Sequence, residues 1–313
     1  MRAIFNLSAS LGASWRCRHR SRTLYRNPVH VLSHRSFQRA DHRLYADRRP
    51  GAGGADPVRA AGACRRAAAA HHAVAAMSLL STRDLSRHFG GLKAVENVDF
   101  ELPAGQVRAL IGPNGAGKTT FVGMLSGRIQ ASRGQIVFDG RNVTSEPAHQ
   151  RIRAGMAYTF QITSVYGRLP VTENVALAVR WRTGGDEAET GRRVREALER
   201  VGIADRADQL AGDLSYGHQR LLEIAMGLSQ GPRLLILDEP TQGLADSEIA
   251  DFIALIRNLA GEMTILLIEH NINVVMHTAD AITVLNAGQV LAEGTPDAIR
   301  ANAAVQAAYL GTG

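Results

Sequence analysis

Hydrophobic and polar residues begin to alternate just after Met77. The runs Leu79–Phe89 and Val95–Leu102 read as half-buried strands on either side of Gly90-Gly91. The turn Pro103-Ala-Gly105 leads into Gln106–Ile111, an apolar run that predicts a buried strand ending at Gly112. A helix is expected over Lys118–Leu125, and a short strand over Gln135–Phe138 before the Asp139-Gly140 turn. From about Thr163 to Leu228 there is no strand run. The spacing there predicts helices at Thr172–Trp181, Glu187–Val201 and Gly217–Leu228. Strands return at Leu234–Leu237 and Thr264–Ile268, alternating with helices Asp246–Leu259 and Ile272–Thr278. Ala281–Leu285 and Val290–Ala292 read as a hairpin about Ala287-Gly288. Strands alternating with helices specify an α/β fold with a mostly parallel sheet, here with antiparallel strands before it and a helical insertion at about 163–228.

Before Met77 neither period persists, and charge separates the two regions. Residues 1–76 hold 14 Arg, no Lys, 3 Asp and no Glu, a net +11. Residues 77–313 hold 22 basic and 26 acidic residues, a net −4. The overall +7 is therefore not a property of the patterned region, which gives no reason to expect a nucleic-acid partner. Three readings of residues 1–76 stand side by side. An Arg-rich, Ser-rich, acid-poor stretch has the composition of a transit peptide, or of a disordered arm for nucleic acid or membrane. The expectation is an extension ahead of a true start at Met77, because a self-sufficient pattern begins there. Cys17 and Cys64 both lie in it, so residues 77–313 have no disulfide framework and no cysteine-ligated metal site. No window reaches about 18 uninterrupted apolar residues, so no membrane-spanning helix is expected.

The chemistry is concentrated at two places. Gly112-Pro113-Asn114-Gly115-Ala116-Gly117-Lys118-Thr119 matches G-x-x-x-x-G-K-[ST] between a predicted strand and a predicted helix, and Thr120 follows in the helix. Glycines let consecutive backbone N–H groups curl around a phosphate, and the helix behind turns its positive end to it. Lys118 would reach the β- and γ-phosphates, and the Thr119 hydroxyl would complete a Mg²⁺ shell. The second place is the buried run Leu234–Leu237, which ends in Asp238-Glu239-Pro240. Carboxylates at the end of a parallel strand face the same crevice as the loop. Asp238 would hold Mg²⁺ and Glu239 would orient or deprotonate the attacking water.

With these two motifs flanking Leu214-Ser215-Tyr216-Gly217-His218, the chain resembles ABC-transporter ATP-binding subunits. That loop is similar to the family's signature Leu-Ser-Gly-Gly-Gln. Gln161, in Tyr158-Thr-Phe-Gln161, resembles the Q-loop, and His270, in Ile268-Glu-His270, resembles the switch histidine. Phe89 stands where the family places an aromatic that stacks on adenine. The resemblance implies a P-loop NTPase core, an N-terminal antiparallel β subdomain and an α-helical insertion subdomain. It implies a head-to-tail dimer with a second cassette, in which Ser215 and Gly217 contact the γ-phosphate bound to the partner. Gln161 would contact Mg²⁺ or the attacking water, and the insertion would receive a membrane partner. Three departures stand out: Tyr216 replaces the first signature glycine, His218 replaces the signature glutamine, and Ala245 replaces the usual Asp in Thr241-Gln-Gly-Leu-Ala245.

Thr159-Phe160-Gln161, Gln219-Arg220-Leu-Leu-Glu223 and Ala308-Tyr-Leu-Gly311 together look like branched-chain amino acid uptake cassettes. For those, the resemblance implies ATP and Mg²⁺ as ligands and a different Liv-type cassette as dimer partner. It also implies two permease subunits, an indirect solute-binding protein, and a peripheral place on the cytoplasmic face of the inner membrane. Urea or short-amide importers, lipid-export cassettes and non-transport ABC ATPases acting on ribosomes or DNA are the alternatives. Only 96 residues separate Lys118 from Ser215, which leaves no room for the long coiled coil of the last group.

Overall fold

The computed structural model describes residues 78–159 and 164–310. The chain runs through β1 (Ser78–Phe89), β2 (Leu92–Pro103), β3 (Val107–Ile111), α1 (Lys118–Leu125), β4 (Arg133–Phe138), β5 (Arg141–Asn142), α2 (Ala148–Ala154) and β6 (Met156–Thr159). Three helices follow: α3 (Val171–Thr183), α4 (Glu187–Val201) and α5 (Tyr216–Ser229). Then come β7 (Leu234–Asp238), α6 (Asp246–Ala260), β8 (Thr264–Ile268), α7 (Ile272–Thr278), β9 (Ala281–Asn286), β10 (Gln289–Gly294), α8 (Pro296–Arg300) and α9 (Ala303–Leu310).

Among the described residues the strands make two sheets. One is antiparallel, in the order β2-β1-β4-β5. The other has the order β10-β9-β3-β8-β7-β6 and is parallel except for the β9–β10 hairpin. Its central strands are buried on both faces, which is why they read as unbroken apolar runs. Side-chain alternation divides them between two cores. Leu234 and Ile236 pack with Phe100, Phe121 and Phe138 toward the antiparallel sheet. Leu235 and Leu237 pack with Val175, Leu198, Leu222 and Ile256 toward α3–α6. Each such Leu or Ile contributes about 1.5–3 kcal/mol by leaving water.

The α/β expectation therefore holds, with both the antiparallel sheet and the helical insertion present. Several short elements were not expected from the pattern: β5, β6, α2, α8 and α9. Each is eight residues or fewer, too short for a period to show. The β9–β10 turn uses Ala287 and Gly288, both at positive φ, as a tight two-residue hairpin requires.

Candidate nucleotide-binding site

β3 hands the chain directly to Gly112. Leu110 lies opposite Ile268 and Ile111 opposite Val284, so the loop leaves from the carboxyl edge of the parallel sheet. Ligands of open α/β sheets collect at this edge. Close approach of backbone explains two of the glycines. A Cβ on Gly112 would sit 2.2 Å from the Leu285 carbonyl oxygen, and one on Gly117 would sit 2.5 Å from that of Ala94. Gly117 also has φ 97°, a left-handed conformation that starts α1. The first turn of α1 carries no acidic residue and no side-chain cap, so its N–H groups and positive end remain directed at the loop.

Lys118 is buried and its Nζ donates to the carbonyls of Gly112 (2.7 Å) and Pro113 (3.2 Å), spanning the loop. Burial pulls its ammonium below the ordinary lysine value, while the Glu239 and Asp238 carboxylates push it back up. Asn114 through Thr120 line an open cleft of about 600 Å³, together with Leu92–Ala94, Glu239 and Ala287. Gly112 and Pro113 are not among the lining residues. Phe89 is not in the wall either. It is 45% exposed at the end of β1, paired with the cleft residue Leu92, and the Arg87 guanidinium lies 4.4 Å from its ring centroid.

β7 ends beside β8, with Asp238 opposite Ile268. Asp238 is 4% exposed and accepts a 2.5 Å hydrogen bond from the Tyr158 hydroxyl. Burial raises its carboxyl above the usual range, and the Tyr158 hydrogen bond opposes that rise. Burial and the same hydrogen bond raise the phenol, which is therefore a neutral donor. Glu239 has φ 49°, uncommon for a residue without a glycine's freedom and disfavoured before proline, and its N–H donates to the Ile268 carbonyl at 2.9 Å. Strain of about 1–3 kcal/mol is held there by neighbouring strands, and it turns the Glu239 side chain into the cleft beside Lys118.

His270 is exposed two residues past the end of β8. Glu269, between them, is fully buried. Its Oε1 accepts from the Thr241 N–H (3.0 Å) and hydroxyl, and its Oε2 from the N–H groups of His270 (3.0 Å) and Asn271 (3.1 Å). The pattern of residues singled out neither Glu269 nor Tyr158. Each lay inside a quoted motif, but its role depends on a partner distant in sequence.

The donors available to a divalent ion are oxygens: the Asp238 carboxylate and the Thr119 hydroxyl. That set suits Mg²⁺, which is held by one or two carboxylates and phosphates and keeps waters. Gln161, the third expected ligand, lies outside the described residues.

The signature residues stand elsewhere. Ser215 caps α5, with its hydroxyl accepting from the His218 N–H and sharing a 2.7 Å hydrogen bond with His218 Nδ1. Gly217 lies against the Glu248 carboxylate, which also accepts from the Ala245 N–H at 2.9 Å and so caps α6 where the family's Asp is missing. Gly217 and His218 line a separate cavity with Leu244, Glu248 and Phe252. One chain thus joins the phosphate loop to Glu239 but does not bring Ser215 or Gly217 to that cleft.

Comparison with known proteins shows the family and the fold. The ABC transporter family matches residues 95–242, and the branched-chain amino acid ATP-binding cassette transporter family matches residues 289–313. The chain is 41% identical to the high-affinity branched-chain amino acid transport ATP-binding protein BraF of Pseudomonas aeruginosa, over 74% of this chain and 98% of that protein. It is 39% identical to the corresponding LivG of Escherichia coli, with the same coverage. A crystal structure of the ADP conformation of an ATP-binding cassette of an ABC transporter superposes with a TM-score of 0.68 at 27% identity, over 75% of this chain and 99% of that one. The chain belongs to the ATP-binding cassette family of ABC transporters.

Proposed function

We propose that this chain is the ATP-hydrolysing subunit of a membrane transporter that imports branched-chain or other hydrophobic amino acids. The observation that carries the ATPase reading is the single cleft shared by the glycine-cradled loop, Lys118 and Glu239. The names of the relatives and the match over residues 289–313 support the amino-acid class.

In this reading the N–H groups of residues 115–119 receive the phosphate oxygens, and Lys118 clamps the outer phosphates. Glu239 accepts a proton from water as the water oxygen attacks the γ-phosphorus, and ADP leaves. Thr119, Asp238 and Gln161 would hold Mg²⁺, which when bound would neutralise charge on the phosphate oxygens. His270 stabilises the transferring phosphate, and Phe89 stacks on the adenine from the rim. Ser215, Gly217 and the N-terminus of α5 serve the nucleotide of a second cassette placed head to tail, which accounts for their lying away from the cleft of their own chain. Two permease subunits dock on α3–α5, with a solute-binding protein beyond them, and the chain sits peripherally on the cytoplasmic face of the membrane. No helix among the described residues is long and apolar enough to cross a membrane.

The test is ATP turnover by the purified assembly. Glu239→Gln is expected to lower hydrolysis by about 10³-fold while nucleotide affinity survives, a loss in the range of a general base. Wild-type turnover in that variant contradicts the catalytic assignment. Lys118→Ala is expected to lose nucleotide affinity by at least about tenfold, and unchanged affinity contradicts the loop assignment. Stimulation of the assembly by urea but not by leucine moves the substrate class to short amides.

A further inference from the structure

Tyr216 stands where the family's signature loop has its first glycine, and the proposed reaction makes no use of its side chain. Tyr216 is 41% exposed, and its ring stops against the loop that follows Glu239: a Cβ on Gly243 would lie 3.1 Å from Tyr216 Cε1. The Tyr216 hydroxyl accepts a 2.8 Å hydrogen bond from Arg220 Nη2, and the Arg220 guanidinium lies 5.2 Å from the centroid of the same ring. The other arm of Arg220, Nη1, donates to Glu223 Oε2 at 2.8 Å. This ion pair is nearly closed to solvent, with side chains 4% and 6% exposed. The second Glu223 oxygen accepts from the Ser164 N–H. Ser164 is the first described residue after the segment that contains Gln161. One line of contacts, Ser164–Glu223–Arg220–Tyr216–Gly243, therefore joins three segments to which the proposed mechanism gives separate tasks.

A buried ion pair is a weak source of net stability, because desolvating both charges offsets most of their attraction. What it provides is geometry. The planar guanidinium holds two acceptors at a fixed angle, which a lysine cannot do. Here one acceptor is a phenol inside the signature loop, and another is the Glu223 carboxylate, which grips the chain at Ser164. With glycine at position 216 the fork would keep the carboxylate and lose the signature loop.

We propose that Tyr216 is a positioning residue that sets Ser215 and Gly217 according to where the Ser164 segment stands, so that hydrolysis in the partner's site follows the position of that segment. This inference rests on the reading of the chain as a transporter ATPase. It implies that the hydroxyl matters for turnover under transport conditions and not for nucleotide binding, which uses the cleft lined by Asn114–Thr120.

The experiment uses the assembled transporter, cassettes with permeases, in vesicles. Tyr216→Phe deletes the hydroxyl and keeps the ring and its contact with Gly243. The expected result is substrate-stimulated kcat lowered by about tenfold with KM for ATP unchanged, in line with one lost hydrogen bond to a charged group, and with a fall in thermal midpoint no larger than that one bond explains. Arg220→Lys breaks the fork, and the double variant Tyr216→Phe/Arg220→Lys should be no slower than Arg220→Lys alone. Losses that multiply in the double variant overturn the proposal, as does a Tyr216→Phe assembly that turns over like wild type. Should Arg220→Lys fail to assemble, the split between kcat and KM in Tyr216→Phe decides by itself. A wild-type assembly without ATPase activity overturns both this inference and the functional reading. An active wild type matched by Tyr216→Phe overturns this inference alone.

Discussion

The phosphate loop and the signature loop are held in place by different physics. Around the phosphate loop the positions are set by main chain against main chain: Gly112 against the Leu285 carbonyl, Gly117 against that of Ala94, and the Gly288 N–H donating to the Ala116 carbonyl at 3.0 Å. Around the signature loop they are set by side chains: the Ser215 hydroxyl on His218, the Arg220 fork on Tyr216 and Glu223, and Glu248 against Gly217. Backbone held by backbone has few alternatives and suits a cradle that must meet a phosphate with several N–H groups at once. Side-chain clamps have alternative rotamers and partners to switch between, which suits a loop that has to meet a partner and part from it.

The largest test of that contrast is Gly112→Ala. The new methyl group would lie 2.2 Å from a backbone carbonyl oxygen of β9, so main chain rather than a side-chain end would have to shift. The expected cost is about 2–4 kcal/mol of stability, a fall in thermal midpoint of roughly 5–10 °C, and at least about tenfold weaker nucleotide binding. Calorimetry and a titration with a fluorescent ATP analogue would measure both. A Gly112→Ala protein that melts and binds like wild type would break the contrast, because the loop would then not be fixed by backbone contact.

Glu269→Gln gives the next largest effect, and it sharpens the contrast because Glu269 is a side-chain pin on the nucleotide side. Each of its oxygens accepts from two donors, joining Thr241 to His270 and Asn271. An amide would turn its own N–H groups toward one of those pairs of donors. The expected loss is about 2 kcal/mol, with lower turnover and unchanged nucleotide affinity, since the phosphate loop is not touched. Equal stability of variant and wild type in a denaturant titration would show that the carboxylate does not pin these loops.

The same division explains what could be read from the residues alone. A loop shaped by backbone contact demands glycines at set spacings, and Gly112 to Thr119 therefore stood out. The apolar runs of β3, β7 and β8 stood out because they are buried on both faces. The clamps left no spacing to read: Tyr158 and Asp238 are 80 residues apart, and Ser164 and Glu223 are 59 apart. Helix α2 is the clearest miss. Its Arg151 is buried and donates to the carbonyls of Met124 (2.6 Å) and Leu125 (2.7 Å), closing the C-terminal end of α1 from a position 26 residues later. Burial pulls that guanidinium down to about 10, and an arginine in a seven-residue polar stretch carries no sign of such a role. Phe89 and Ser215 were identified by resemblance, and their local geometry alone would not have singled them out.

The smallest expected effect, and the finest test, belongs to Tyr158→Phe. The Tyr158 hydroxyl donates to the Asp238 carboxylate and so favours its ionised form, while burial favours the neutral one and is the larger influence. Removing the hydroxyl must therefore raise the Asp238 pKa further. A protonated Asp238 has lost the charge that would hold Mg²⁺, so the acid limb of the ATPase pH profile should move to higher pH, with turnover near wild type well above that limb. Stability gives an independent check with a definite sign. Asp238 has a folded pKa above its unfolded value, so its favourable contribution is fully present below the unfolded pKa and is lost as pH rises through the folded one. The variant, with a still higher folded pKa, loses more over that rise. Its thermal midpoint should match wild type in acid and fall below it toward neutral pH. A deficit equal at both ends would mean that Tyr158 matters through packing. An unmoved acid limb would mean that Asp238 does not set it, and that a side-chain bond spanning 80 residues can be lost without cost to the site.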